Sequence, residues 1–71
     1  MLDDPRNIGD TETVLEDFQP VDNFFEGAIQ LNGVKWKAKT RTSLLKKGTV
    51  VITTSLDNLT YEVEEKKAYN I

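Results

Sequence analysis

The sequence has no cysteine and no histidine. Without cysteine, no disulfide staples the fold, no thiolate holds a metal, and the redox compartment leaves no trace. Without histidine, the commonest general base and the commonest metal ligand are both missing. An excess of positive charge is missing too. Nine lysines and arginines stand against twelve aspartates and glutamates, for a net charge of -3, which argues against a sequence-independent polyanion binder. No apolar run approaches the roughly 18 residues that a membrane span needs. The opening Met1-Leu2-Asp3-Asp4-Pro5 is acidic and lacks the basic start of a signal peptide. As written, the chain is expected to be soluble. No repeat or low-complexity tract is present, and 71 residues allow one small domain whose core must use nearly every large apolar side chain.

What is there is organised around Gly27 to Arg41. Asn32-Gly33 lies between two alternating runs, and this pair is the strongest short-range signal for a hairpin. A type I′ turn needs φ > 0 at both central residues, which Asn tolerates and Gly meets freely. A two-residue loop fixes the register: Leu31 opposite Val34, Ile29 opposite Trp36, Gly27 opposite Ala38, Phe25 opposite Thr40. The other face pairs Gln30 with Lys35, Ala28 with Lys37, and Glu26 with Lys39. One face is apolar and the other charged, so the turn chemistry and the binary pattern agree.

Around this hairpin, residues 1–9 read as a flexible lead-in, 10–65 as the folded domain and 66–71 as a polar tail. Thr11 to Leu15 is β-branched and reads as a first strand. Glu16 to Asn23, with Pro20 inside it, reads as a connection with Phe18 buried beneath it. Thr42 to Gly48 is too short for an ordinary helix and reads as one helical turn or an irregular crossover. A second hairpin is expected around Asp57-Asn58, pairing Leu56 with Leu59, Thr54 with Tyr61 and Ile52 with Val63. Val51 then falls on the polar side, and a bulge between Val51 and Leu56 would bring it inside. Five short strands without a helix imply an all-β domain. Closing them into a small five-stranded barrel removes both sheet edges and the naked apolar face. Gly27 and Ala38 leave room for a bend or for the Trp36 ring.

These residues also carry a resemblance. Gly27, Ile29 and Leu31, then Gly33, then Trp36 and Ala38, then Gly48 and Val51, then Asp57-Asn58, then Tyr61 and Val63 follow the ordered pattern of the NfeD family's C-terminal domain. Upstream, Asp17-Phe18-Gln19-Pro20 is similar to that family's acidic-Leu-x-Pro segment. The match runs from about Gly9 to Glu64. It departs at Val21 to Phe24, which lengthens a connection, at Asn58 in place of a turn glycine, and at Thr53, where the family prefers Val. The resemblance implies an OB-like barrel lacking the usual helix between strands 3 and 4. It also implies a parent anchored by transmembrane segments absent from this chain, working beside stomatin- and flotillin-like (SPFH) proteins. Some long family forms add a Ser-Lys protease domain, and this chain contains none.

Chemistry-bearing groups are few. Lys35, Lys37, Lys39 and Arg41 recur every second residue and so share one strand face. They read as a basic stripe for nucleic acid or acidic headgroups, or as a solvated face paired with acids such as Glu26, Glu62 and Glu64 at roughly 0.2–1 kcal/mol per pair. Trp36 shares its face with Val34 and Ala38, so it reads as core rather than as a stacking platform. Phe24 falls on the charged face beside Arg41, placed to cap the barrel, to make a cation–π contact or to meet a partner. Ser43 and Lys46 have Ser-x-x-Lys spacing, but that chemistry needs a buried lysine in a pocket, which so short a chain hardly offers. No metal or cofactor pattern appears, and the expectation is a non-catalytic chain. The sequence thus points to a protein-interaction module with an SPFH partner, using Phe24, Lys35, Lys37, Lys39 and Arg41. Single-stranded nucleic acid is the alternative ligand, disfavoured by the acidic net charge.

Overall fold

The computed structural model describes residues 8–66. The expectations for residues 1–7 and 67–71 lie outside them. Five strands close into a barrel: β1 (Thr11–Val21), β2 (Phe24–Leu31), β3 (Val34–Thr40), β4 (Val50–Asp57) and β5 (Thr60–Glu65). Around the barrel the order is β1-β2-β3-β5-β4, with β4 returning to β1. Every pairing is antiparallel except β3 with β5, which run parallel through Ala38 opposite Tyr61 and Lys39 opposite Glu62. No helix interrupts the described residues. The fold is the all-β, OB-like barrel without the usual helix between its third and fourth strands.

The β2–β3 hairpin has the register its turn dictates, with Leu31 opposite Val34 and Phe25 opposite Thr40. Asn32 and Gly33 both have positive φ, 52° and 79°, as a type I′ turn requires. Ile29, Leu31, Ala38 and Thr40 are buried, whereas Val34, at the barrel's end, is 55% exposed. Ala28 is buried although it lies on the charged face. In the register it sits between Glu16 of β1 and Lys37 of β3, and the salt bridge from Lys35 to Glu16 spans this part of the sheet.

β1 is longer than its composition suggests. The stretch expected to be a connection from Glu16 to Asn23 is strand as far as Val21, with Pro20 opposite Phe25, and the turn is only Asp22-Asn23. Asp22 alone of this pair has positive φ. Two register shifts, between Val14 and Glu16 and between Glu16 and Gln19, make this length possible by coiling the strand around two sides of the barrel. The crossover takes up the backbone groups that the irregular strand turns outward. The Phe18 amide donates to the Leu45 carbonyl (2.8 Å), the Gly48 amide to the Val14 carbonyl (2.8 Å), and the Val14 amide to the Thr49 carbonyl (2.9 Å). The Lys47 amide donates to Asp17 Oδ1 at 2.7 Å. The irregular strand and the helix-free crossover are therefore one device: each completes the other's hydrogen bonding.

Phe18 is buried at 3% exposure, under this crossover. The space left by Gly27 belongs to its ring and not to Trp36. A Cβ on Gly27 would lie 2.4 Å from Phe18 Cδ1, 2.8 Å from Cε1 and 3.0 Å from the Glu16 carbonyl oxygen.

The second hairpin corrects the sequence reading by one position. Its turn is Asn58-Leu59, with φ of 55° and 62°, so Asp57 opposes Thr60, Leu56 opposes Tyr61 and Thr53 opposes Val63. The Leu56–Leu59, Thr54–Tyr61 and Ile52–Val63 pairs do not form. The expected bulge is present, between Thr53 and Ser55, and it carries Val51 to the inside, where it is fully buried. Holding a leucine in the left-handed region costs about 1–2 kcal/mol. Burying Val51 returns about the same or more. Thr53 is the inward residue where an aliphatic was expected. It is buried, and its hydroxyl donates to the Asp10 carbonyl at 3.5 Å. The core is Val14, Phe18, Ile29, Leu31, Ala38, Leu45, Val51, Tyr61 and Val63, with Phe25, Trp36 and Leu56 packed against it. Trp36 meets Tyr61 edge-on at 5.3 Å between ring centroids. No buried side-chain polar atom among the described residues lacks a partner.

Candidate partner-binding face

The outer face of β2 and β3 carries the stripe that the alternation set out, and the structure divides it in two. Lys35, near the β2–β3 turn, forms its salt bridge with Glu16 across the sheet. Lys39 and Arg41, at the other end of β3, converge on Phe24, the first residue of β2. Lys39 Nζ lies 4.6 Å and Arg41 Cζ 5.2 Å from the Phe24 ring centroid. The register causes this, because Phe25 opposite Thr40 puts Phe24 level with Arg41. Each such contact contributes about 0.5–1 kcal/mol when exposed. Phe24 is thereby held half-buried against the sheet, flanked by two cations.

The same cations have acid partners on β4 and β5. Lys39 Nζ is 3.5 Å from Asp57 Oδ2, and Arg41 Nε is 3.6 Å from Glu62 Oε2. Glu62 was expected from the β3–β5 neighbourhood. Glu26 and Glu64 make no ion pair with the stripe among the described residues, and Asp57 and Glu16 take their places. Asp57 was hidden by the shifted turn, and Glu16 by reading its segment as a loop. Lys37 has no ion-pair partner among the described residues and lies exposed in the middle of the face. The pairs are exposed on at least one side, worth roughly 0–1 kcal/mol each and readily exchanged for an incoming acid. Phe24, Lys39 and Arg41 thus form one cluster, joined by Lys39 to the β4–β5 hairpin, while Lys35 stands apart.

Ser43 and Lys46 are not brought together in a pocket. Ser43 lines a depression with Thr42, Glu64 and Glu65, and Lys46, exposed on the crossover, is not part of that lining. No group of three or more acidic residues is arranged for a metal among the described residues. Glu12, opposite Val51 on the β1–β4 seam, has its carboxyl pushed above the usual range, first by burial and then by the nearby charge of Asp10. It lies away from this face. No helix among the described residues is long and apolar enough to cross a membrane.

No protein-family profile matches the chain, and no curated protein matches it. Solved structures do. The C-terminal domain of stomatin operon partner protein 1510-C from Pyrococcus horikoshii superimposes with a TM-score of 0.77 at 29% identity, covering 96% of this chain and all of that one. That neighbour is an NfeD-like domain, the kind the sequence resembles. A second likeness is the soluble domain of a membrane protein implicated in regulation of membrane protease activity from Corynebacterium glutamicum, with a TM-score of 0.73 at 25% identity. It covers 90% of this chain and 100% of that one. The chain is therefore matched along nearly its whole length by domains of its own size, so the barrel, and not a fragment of it, is the shared unit.

Proposed function

We propose that this NfeD-like domain is a non-catalytic protein-interaction module, carried by a membrane-anchored parent and docking an SPFH-type (stomatin- or flotillin-like) partner through the outer face of β2 and β3. The observation that supports it most is the full-length likeness to a domain named as a stomatin operon partner. The chemistry of the face agrees. Phe24, flanked by Lys39 and Arg41, is an aromatic anchor inside a charged rim, the arrangement that concentrates binding energy in protein interfaces. Acidic groups of a partner would replace Asp57 and Glu62 on the same cations.

Single-stranded nucleic acid is the competing ligand for this face. Against it, three of the four cations already have carboxylates, and Trp36 is turned toward the core rather than offered for stacking. The two readings differ in salt dependence, because each neutralised phosphate releases counterions. The test is a titration of the domain against a purified SPFH protein and against a single-stranded oligonucleotide at low and moderate salt. Partner binding that weakens only mildly with salt, and that loses more from Phe24→Ala than from Lys37→Ala, is expected. Steeply salt-sensitive oligonucleotide binding, with Phe24→Ala leaving the SPFH interaction untouched, would replace this reading with the other.

A further inference from the structure

The paired cations of the β3 stripe do not use their charge alike. Lys39 is the most covered of the three, its side chain 16% exposed against 61% for Lys35 and 67% for Arg41. An ammonium carries three donors. Lys39 Nζ makes no hydrogen bond among the described residues: its contacts are the Phe24 ring at 4.6 Å and Asp57 Oδ2 at 3.5 Å. That ion pair is longer than the about 2.7–2.9 Å of a charge-assisted hydrogen bond. Glu26, opposite Lys39 on β2, makes no ion pair with it among the described residues. The nitrogen is still reachable from outside, because no buried side-chain polar atom among the described residues lacks a hydrogen-bond partner. The two acids of the cluster are also held differently. The Glu62 side chain is 26% exposed; its Oε1 accepts from Ser55 Oγ at 3.4 Å while its Oε2 faces Arg41. The Asp57 side chain is 71% exposed, and its carboxylate has no partner but Lys39 among the described residues. The covered cation therefore has the loosely held acid.

We propose that Lys39 is a carboxylate subsite, in which a glutamate or aspartate of a protein partner takes the place of Asp57 while an apolar group beside it packs on Phe24. The proposal rests on the interaction reading above and deepens it, naming the cation that selects and the acid that competes. Two observations carry it. A largely covered ammonium with unspent donors favours an acceptor that comes to hydrogen-bond distance, which Asp57 does not reach. And the ring under that ammonium suits the apolar part of the same ligand, so charge and packing are read together. Asp57 is then the domain's own stand-in for the partner's acid. It compensates Lys39 in the free domain and competes with the incoming carboxylate, so removing it strengthens binding, the opposite of what deleting a contact residue does. Glu62, held by Ser55, stays on Arg41.

The probe is 3-phenylpropionate, a carboxylate on a short chain from a benzene ring, and 3-phenylpropanamide is its neutral control. Each is titrated into the isotope-labelled full chain, and the backbone amide shifts are followed by NMR. The acid is expected to shift Phe24, Lys39 and Asn58 saturably, the last because Asp57 beside it is released, and the neutral control is not. Asp57→Asn is expected to bind the acid about two- to fivefold more tightly, the range that an exposed ion pair accounts for. Glu65→Gln, which removes the same charge at the other end of β5, is expected to leave the affinity unchanged. Lys39→Met is expected to lose about tenfold or more with its circular dichroism retained, and Lys37→Met to stay within about twofold. Equal shifts from the neutral control, weaker binding in Asp57→Asn, an equal gain in Glu65→Gln or an equal loss in Lys37→Met overturns the proposal. So does a single-stranded oligonucleotide that displaces the acid where a purified SPFH protein does not. The same SPFH protein, measured on every variant, separates the two claims. If it binds none of them, while the probe behaves as expected and no oligonucleotide displaces it, the partner reading falls and the subsite stands. If it binds all of them alike, the partner reading stands and the subsite falls.

Discussion

Gly27→Ala is a one-carbon substitution that should damage this domain severely. The added Cβ would meet Phe18 Cδ1 at 2.4 Å and Cε1 at 2.8 Å, where carbon pairs settle at about 3.5–4.0 Å. The ring would have to retreat by about 1 Å, yet it is packed beneath the crossover, and the Phe18 amide is held by the Leu45 carbonyl. The Glu16 carbonyl at 3.0 Å blocks relaxation of the strand itself. Overpacking of this kind costs about 1–3 kcal/mol, occasionally more. Alanine returns about 0.5–1 kcal/mol through the unfolded chain. The net expectation is a loss of about 1–2 kcal/mol, or roughly 4–16 °C in Tm for a domain of this size. Urea denaturation followed by Trp36 fluorescence gives the number. The mechanism is tested by a cycle with Phe18→Leu, which alone should cost about 1–2 kcal/mol through lost volume. In the Gly27→Ala background the smaller side chain makes room, so the double variant should be more stable than the sum of the single effects by at least about 1 kcal/mol. Additivity within about 0.5 kcal/mol, or a neutral Gly27→Ala, would refute the packing argument.

Three further outcomes follow from particular residues. Leu59→Asn should stabilise the domain by about 1 kcal/mol, because φ of 62° strains leucine and suits asparagine; a lower urea midpoint would contradict it. Glu12 has a raised folded-state pKa, so the native state holds its proton more tightly and the group's contribution to stability falls as pH rises through the carboxylate range. Glu12→Gln should therefore raise the urea midpoint at pH 7 and lose that advantage below the ordinary carboxylate pKa, and an advantage that grows on acidification would reverse the sign. Ser43→Ala and Lys46→Ala should leave folding and partner binding unchanged, and the purified domain should cleave no peptide; cleavage abolished by Ser43→Ala would make it a hydrolase.

The legible part of the fold was the part with local rules. Asn32-Gly33 sets its own register, and the alternation on both sides repeats the same instruction, so the central hairpin could be written down residue by residue. The second hairpin has no such redundancy. Asp57-Asn58 and Asn58-Leu59 are both usable turns, and an apolar residue at position 59 argues for a strand when read locally. What decides is non-local: Val51 must enter the core and Tyr61 must oppose Leu56, and the bulge near Thr54 reconciles them. β1 was misread for a related reason. Pro20 and the Asp22-Asn23 pair look like a long loop, but proline is tolerated at a strand position whose amide the ladder does not need. The hydrogen bonds that stabilise so irregular a strand come from the crossover, which no window on β1 contains.

The candidate face shows the same division. Its cations were visible because lysine at every second position has one geometric meaning, and Phe24 followed from the hairpin register. The partners of those cations were visible only where topology could be guessed. Glu62 comes from the parallel β3–β5 pairing that closes the barrel, whereas Asp57 required the true turn and Glu16 the true length of β1. This matters for function. An unpaired stripe of four cations would be an electrostatic surface open to any polyanion. With Glu16, Asp57 and Glu62 in place, Lys37 alone of the four stripe cations stands without an acid partner among the described residues. Under the proposed function, the favoured ligand is one that offers both a carboxylate and something to pack on Phe24. The bases of a single strand could also stack on Phe24, so the steep salt dependence of phosphate contacts, and not packing on the ring, is what separates nucleic acid from a protein segment on this face.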